Sequence, residues 1–230
     1  MNAVINLIQS YSLFFLLGIG TIFTFYWLMR FRDKLNLHWY TAILISILHT
    51  VWGVLCVSVF AFAESGFSSD AVGNMSLFGG VFFMPLFYWG MAKILRLKSK
   101  VVFDLCTNCM LFTLMCARIN CIIAGCCKGT FVFHTCYRWP TRELEIVFYV
   151  VLILVFSYKL KISETNGIIY PIYMISYGIF RFIVEFFRVG DGNLLIHPAH
   201  IWALISLCIG LSVYAEIKNK EKKGRRSKND

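Results

Sequence analysis

Apolar residues in this chain collect into long windows separated by short polar connections. The windows fall near 11–29, 39–63, 74–95, 102–124, 144–160, 168–187 and 200–217. Each is about 17 to 25 residues long, and a helix rising 1.5 Å per residue needs roughly 20 apolar residues to cross about 30 Å of hydrocarbon. The pattern predicts an all-α fold: a polytopic membrane helical bundle of about seven transmembrane helices. Residues 1–217 are expected to form one seven-span domain, and residues 218–230 a basic, disordered cytoplasmic tail. The first charged side chain is Arg30. The chain therefore begins without the basic flank of a cleaved signal peptide, and residues 11–29 are expected to be a retained first span.

Composition agrees with the windows. The chain of 230 residues is 59% hydrophobic, with 22 Phe, and its mean hydropathy is +0.70. A soluble domain of this length has too little interior to hide that much apolar surface. The net charge of +10 would raise nucleic-acid binding in a soluble protein. Here seven of the cations stand in the tail after residue 217, a polar run suited to an anionic membrane surface, and no nucleic-acid partner is expected.

The other cations set the orientation. Arg30, Arg32, Lys34, Lys93, Arg96, Lys98, Lys100, Lys159 and Lys161 lie in or beside alternate connections and, with the tail, account for 16 of the 22 Lys and Arg. The connection ESGFSSDAVGN on the other side has none. The positive-inside rule then places the N-terminus outside and the C-terminus in the cytoplasm. Six cations remain: Arg118, Lys128, Arg138, Arg142, Arg181 and Arg188. Each falls in the outer half of the bundle or just beyond it. A charge within hydrocarbon costs several kcal/mol and usually faces the bundle interior, so six cations on this side point to an anion site.

Two stretches concentrate the chemistry. In YGIFRFIVEFFR, the residues Tyr177, Arg181, Glu185 and Arg188 fall within an arc of roughly 80° at about 100° per residue. One helix face thus presents two guanidinium groups, a carboxylate and a phenol. An Arg181–Glu185 pair with Arg188 snorkelling to the headgroups is the structural alternative. Arg181 is expected about 10 Å deeper than Arg188, and one carboxylate facing two arginines leaves positive charge to be met by another group. In ARINCIIAGCCKGT, Arg118 is expected in the outer half of the fourth span, and Gly125 and Gly129 allow a turn or a close approach. Arginine suits phosphate because its planar fork offers paired donors and stays charged.

The remaining polar residues are less directive. In RWPTRELE, Pro140 fits the first turn of a helix and Glu145 lies about one turn inside it, with Arg138 or Arg118 as the expected partner of that carboxylate. Cys106, Cys109, Cys121, Cys126, Cys127 and Cys136, with His134, lack the paired knuckles of a zinc site, because Cys106 and Cys109 lie inside a span and Cys126 and Cys127 are adjacent. No metal and no cofactor are expected, although a disulfide among Cys126, Cys127 and Cys136 is open. His49 reads as a packing histidine, and His197 and His200 as interfacial. No pair of Gly/Pro-broken spans suggests the inverted repeats of a transporter.

The ordered set of motifs resembles the prolipoprotein diacylglyceryl transferase family. RINCIIAGCCKG resembles its Arg–hydrophobic–Gly stretch, and YGIFRFIVEFFR keeps its Tyr, Arg, Glu and Arg at the same spacing. RWPTRELE looks like its Arg-His-Pro segment ending in Glu, YSLFFLLGI like its first-span Tyr segment, and MSLFGGVF like its His-Gly-Gly segment. The resemblance implies transfer of diacylglyceryl from phosphatidylglycerol to the lipobox cysteine thiol of a prolipoprotein signal peptide. It also implies a multi-pass protein of the bacterial cytoplasmic membrane, in contact with membrane lipids. It makes Arg118, Arg181 and Glu185 the catalytic candidates. Tyr11, Cys121, Gly129, Arg138, Glu145, Tyr177 and Arg188 become the substrate-binding candidates. The chain departs from the family at Phe78, which replaces the His before Gly79 and Gly80, and at Asn120, Cys121 and Cys126. Its segment from Gly129 to Pro140 is also short. Glu185 and His134 are the candidates for the base. The departures leave two other readings: a related transferase that gives an anionic phospholipid's group to a different acceptor, or a non-catalytic lipid- or peptide-binding member of the fold.

Overall fold

The computed structural model describes residues 2–68, 75–131, 137–162, 166–188 and 197–226. These form eight helices: α1 (Asn2–Arg30), α2 (Arg32–Leu35), α3 (Trp39–Glu64), α4 (Leu77–Ile94), α5 (Ser99–Ile123), α6 (Thr141–Ile162), α7 (Ile169–Glu185) and α8 (Pro198–Arg226). The seven long ones follow the seven apolar windows, and the one-turn α2 fills the first basic connection. Five of them, α1, α3, α4, α5 and α8, are long and apolar enough to cross a membrane. The other two are α6, with charged residues near both ends, and the 17-residue α7, which carries Arg181 and Glu185.

α5 is the hub. It packs on α1, α2, α4, α6 and α7, while α3 pairs with α4 and α8 with α7. Its position explains its sequence, because a helix surrounded by protein can carry polar groups that lipid would not tolerate. Asp104, Thr107, Asn108 and Arg118 of α5 are all buried. Asn108 donates to Ser157 Oγ of α6 at 3.0 Å, and Trp27 Nε1 of α1 donates to the Leu105 carbonyl at 3.1 Å. The outward faces are apolar instead: Phe14, Phe15, Leu44, Val59 and Leu154 all stand exposed. At Gly79 of α4 a β-carbon would collide with the Cys56 carbonyl of α3, so glycine permits that pair of backbones to touch.

Long-range hydrogen bonds tie the helices at both ends. At one end Ser12 donates to Asn120 Oδ1 at 2.7 Å, Trp202 Nε1 to Glu64 Oε1 at 3.1 Å, and the Thr130 amide to the Phe187 carbonyl at 2.9 Å. At the other, Lys34 Nζ donates to the Leu160 carbonyl at 2.8 Å. There too the Asp104 carboxylate accepts the amides of Gly167 at 2.8 Å and Ile169 at 2.9 Å. Asp104 therefore caps the start of α7 from a neighbouring helix, meeting amides that a helix start leaves without partners.

Several local expectations change. α8 continues past residue 217 to Arg226, so the described part of the tail is helical. Lys220 pairs with Glu216 and Lys218 with Glu221 at helical spacing, which supports that extension. Pro140 stands just before α6 rather than inside it, its carbonyl accepting the Leu144 amide. His200 is buried, and its Nδ1 accepts the His197 amide at 3.1 Å. It caps the start of α8 from inside the first turn, as the far residue of a capping box does. His49, in contrast, is the packing residue expected of it, buried with Nε2 3.2 Å from Tyr88 Oη.

Replacing Asp104 by Ala is expected to destabilise the protein by about 1–3 kcal/mol, because two buried amides lose their acceptor. Asn, which keeps one carbonyl oxygen, should recover part of the loss. Thermal unfolding midpoints of the three proteins in detergent check both statements.

Candidate functional site

Three helices deliver charge to one buried point. Arg118 comes from the last third of α5, Glu145 from the second turn of α6, and Arg181 and Glu185 from the last turns of α7. All four are buried. Arg118 Nε pairs with Glu145 Oε2, and Arg181 Nη1 with Glu145 Oε1 at 2.6 Å. Arg181 Nη2 reaches Glu185 Oε2 at 2.8 Å, and Arg188 Nη1 approaches the same oxygen at 3.5 Å. The result is a zigzag of alternating charge, Arg118–Glu145–Arg181–Glu185–Arg188. Among the described residues these ion pairs join three guanidinium groups to two carboxylates, an excess of one guanidinium, with the half-buried Arg188 at the end of the series. The Arg181–Glu185 pair read from the i,i+4 spacing is present, and Arg118 is paired in the interior. The partners of Glu145 are Arg118 and Arg181; Arg138 is not one of them.

The sequence grouped six cations on this side, and the structure divides them. Arg118 and Arg181 are buried, Arg188 and Arg142 are half-buried, and Lys128 and Arg138 are exposed. Arg138 lies with its guanidinium carbon 4.1 Å above the Phe131 ring and donates to the Gly129 carbonyl at 3.3 Å. Arg142 donates from Nη1 to the carbonyls of Cys121 at 3.3 Å and Cys126 at 3.2 Å.

Gly129 roofs the cluster. It forms an antiparallel bridge with Arg188, and Phe131 forms one with Arg138. The Thr130 carbonyl accepts the Trp139 amide at 2.9 Å. A β-carbon at Gly129 would collide with the Trp139 carbonyl oxygen, so only glycine lets these strands of backbone close over Arg188.

Aromatic residues line the inner side. The Phe78 ring lies 5.7 Å from the Arg181 guanidinium carbon and 5.7 Å from the Tyr177 ring, so Phe78 packs directly against the cluster. Tyr177 is buried beside it, as its helix face predicts. Tyr149, one turn beyond Glu145 on α6, is fully buried with no hydrogen-bond partner for its hydroxyl among the described residues. A buried hydroxyl of this kind calls for a water or a ligand. Sequence reasoning missed Tyr149 because it stands in the apolar run VFYVVLIL, where only its i+4 spacing from Glu145 could have flagged it. Tyr11 does not join the site: its side chain is 63% exposed, and the adjacent Ser12 is the residue that turns inward.

Next to the arginines, Cys121, Cys126 and Cys127 bring their sulfur atoms within 4.8 Å of one another. All three are free thiols, and among the described residues they are the group able to hold a metal ion. The Cys127 thiol is held well below the ordinary thiol range, first by its hydrogen bond with Cys121 and then by the charges of Arg188 and Arg118. His134 and Cys136 lie outside the described residues. A groove of about 430 Å³ lined by Trp27, Arg30, Phe31, Ser157, Tyr158 and Lys161 opens at the opposite end, far along the bundle from this chemistry.

A helical bundle with several membrane-length apolar helices and a buried arginine–carboxylate cluster defines a multi-pass membrane protein with a charged centre in its interior. The sequence model of the prolipoprotein diacylglyceryl transferase family matches residues 3–215, and the chain belongs to that family. It is 29% identical over 114 residues to the phosphatidylglycerol–prolipoprotein diacylglyceryl transferase of Clostridium tetani, an alignment covering 42% of this chain and 45% of that protein. It is 22% identical over 169 residues to the protein of the same name from Dehalococcoides mccartyi, covering 64% of each chain. The chain thus spans between about half and just under two thirds of these relatives.

Replacing Glu145 by Gln is expected to destabilise the protein by about 3–5 kcal/mol, because Arg118 and Arg181 then face each other without their shared counter-ion. Replacing Arg118 by Met in the same chain should recover part of that loss. Denaturation of the single and double variants in detergent measures the coupling.

Proposed function

We propose that this protein transfers diacylglyceryl from phosphatidylglycerol to the lipobox cysteine thiol of a prolipoprotein, at the outer face of the bacterial cytoplasmic membrane. The observation that carries the reading is the pair of buried guanidinium groups, Arg118 and Arg181, in an ion-pair series that, among the described residues, holds more guanidinium than carboxylate groups. A phosphodiester headgroup brings one negative charge, and guanidinium forks in a low-dielectric site are suited to hold it. Membership of the family and the names of the relatives support the same reaction.

In this reading α1 and α3 to α8 all cross the membrane, α6 and α7 included, because Glu145, Arg181 and Glu185 are buried in the bundle and the exposed charges of α6, Glu143 and Lys161, stand near its two ends. The end holding Arg30, Arg96, Lys98 and Lys161 lies in the cytoplasm with the end of α8, and the arginine cluster lies towards the outer leaflet. The acceptor thiolate attacks the glyceryl carbon that carries the phosphate. A carbon–sulfur bond forms, the carbon–oxygen bond breaks with its electron pair on the phosphate oxygen, and glycerol phosphate leaves. Arg118 and Arg181 bind the phosphate and stabilise its added charge as it departs. Glu145 positions both guanidinium groups. Glu185, joined to the half-buried Arg188, is the carboxylate nearer the opening and takes the thiol proton. Gly129 and Arg188 shape the entrance, Tyr177 packs against the site, and Arg138 serves its rim.

Phe78 favours a second reading. A phenyl ring against Arg181 carries no proton, which fits a transferase with a more acidic acceptor than a peptide thiol, or a lipid-binding role without turnover. Purified protein incubated with labelled phosphatidylglycerol and a peptide bearing one lipobox cysteine separates these cases. Thioether-linked lipid is expected on the peptide, with Arg118→Ala and Arg181→Ala each lowering the rate by at least about 100-fold while remaining monodisperse. Arg181→Lys should also fail, since an ammonium lacks the fork. Lipid retained without product would favour the second reading, and absence of lipid binding would overturn both.

A further inference from the structure

The end of α5 is built as a helix cap that gathers thiols. Gly125 has a left-handed backbone, φ 70°. Its amide bonds the Ile122 carbonyl at 3.1 Å, and the Cys126 amide bonds the Cys121 carbonyl at 3.2 Å. These two bonds are those of a Schellman cap, which brings the residue after the glycine against the residue four before it. Those positions are Cys126 and Cys121. Cys127 then also takes a left-handed backbone, φ 54°, unusual for a side chain other than Gly, Asn or Asp. That turn folds the third sulfur back towards the other two. Adjacent cysteines make a poor zinc knuckle in extended chain, but the left-handed turn removes that objection here.

Arg142 of α6 holds this cap from outside, donating to the carbonyls of Cys121 and Cys126. The sulfur atoms already lie within 4.8 Å of one another. Three thiolates about 2.3 Å from one zinc ion stand about 3.8–4.0 Å apart, so the trio needs to close by under roughly 1 Å. The charge balance is also favourable. Three thiolates around a monovalent or divalent ion form an anion, and Arg118 stands three residues before Cys121 while Arg188 approaches from the end of α7.

We infer that Cys121, Cys126 and Cys127 form a binding site for a single thiophilic metal ion, of the class of Zn²⁺ or Cu⁺, outside the proposed lipid-transfer chemistry. Three thiolates select such soft ions and leave one position of a tetrahedron open. The site stands on the cap geometry and holds whether or not the protein transfers lipid.

The test uses the full chain in detergent, reduced and kept free of oxygen, titrated with Cd²⁺ as the probe and followed by its ultraviolet thiolate-to-metal band. One ion per chain is expected, with band intensity proportional to three thiolates, and excess Zn²⁺ should compete with it and weaken the apparent Cd²⁺ affinity. Cys126→Ser and Cys127→Ser should each weaken binding at least tenfold. Cys208→Ser, an exposed cysteine on α8, should bind as the unaltered protein does. Gel filtration establishes that each variant remains monodisperse, and Cys126, being exposed, can be replaced without disturbing the core. Uptake of no ion by monodisperse reduced protein would overturn the inference. So would a band worth a single thiolate, or undiminished binding by the Cys126→Ser and Cys127→Ser variants.

Discussion

A carboxylate taken out of water inside an apolar bundle is stable only when positive groups surround it, and Glu145 finds two of them on two different helices. Arg118 reaches it from α5 and Arg181 from α7. Each of those guanidinium groups would in turn be unaffordable alone at its depth. The three charges therefore define one another's positions, and through them the angles at which α6 and α7 meet the hub. Everything nearby follows from that triangle: Glu185 and Arg188 extend it along α7, Phe78 lies against its arginine, and Gly129 closes the backbone above it. The aromatic packing of the interior shapes the bundle, but it is this charge network that decides where its buried polar centre is.

The same helix that supplies Arg118 ends, seven residues later, in a glycine-led cap that gathers three thiols. The two features share a scaffold and a field. Arg118 and Cys121 are three apart on α5, so they lie on neighbouring parts of one face, and Arg142 bonds the cap while standing three residues before Glu145 on α6. Charge placed on the sulfur atoms is consequently felt by the arginines, and the reverse. The polar character of α5 is what makes both possible, since its surroundings are other helices rather than lipid.

Much of this was legible in the chain itself. Runs of apolar residues about as long as a bilayer is thick predict helices wherever they occur, because backbone polar groups in an apolar medium must bond within the helix. The i,i+4 spacing of Arg181 and Glu185 predicts their pairing from local geometry alone. Arg118 could be singled out because a fixed charge among apolar residues demands a reason. Gly125, four residues after Cys121 and one before Cys126, carries the signal of the cap, although adjacent cysteines masked its consequence.

What the tertiary structure decided concerns partners far apart in the chain. Whether Glu145 meets Arg118, Arg138 or Arg181 depends on how three helices pack. That packing put Arg138 on a phenyl ring at the surface and left Glu145 to the other two. Tyr11 carried a plausible motif yet faces outward, because one residue of rotation, about 100° on a helix, turns Ser12 to the bundle instead. Tyr149 sits in a plain apolar run and becomes informative only when its hydroxyl is seen buried without a partner. Local periodicity determined the helices and the faces they could offer; only the packed bundle determined which faces met, because pairing energy belongs to two segments at once.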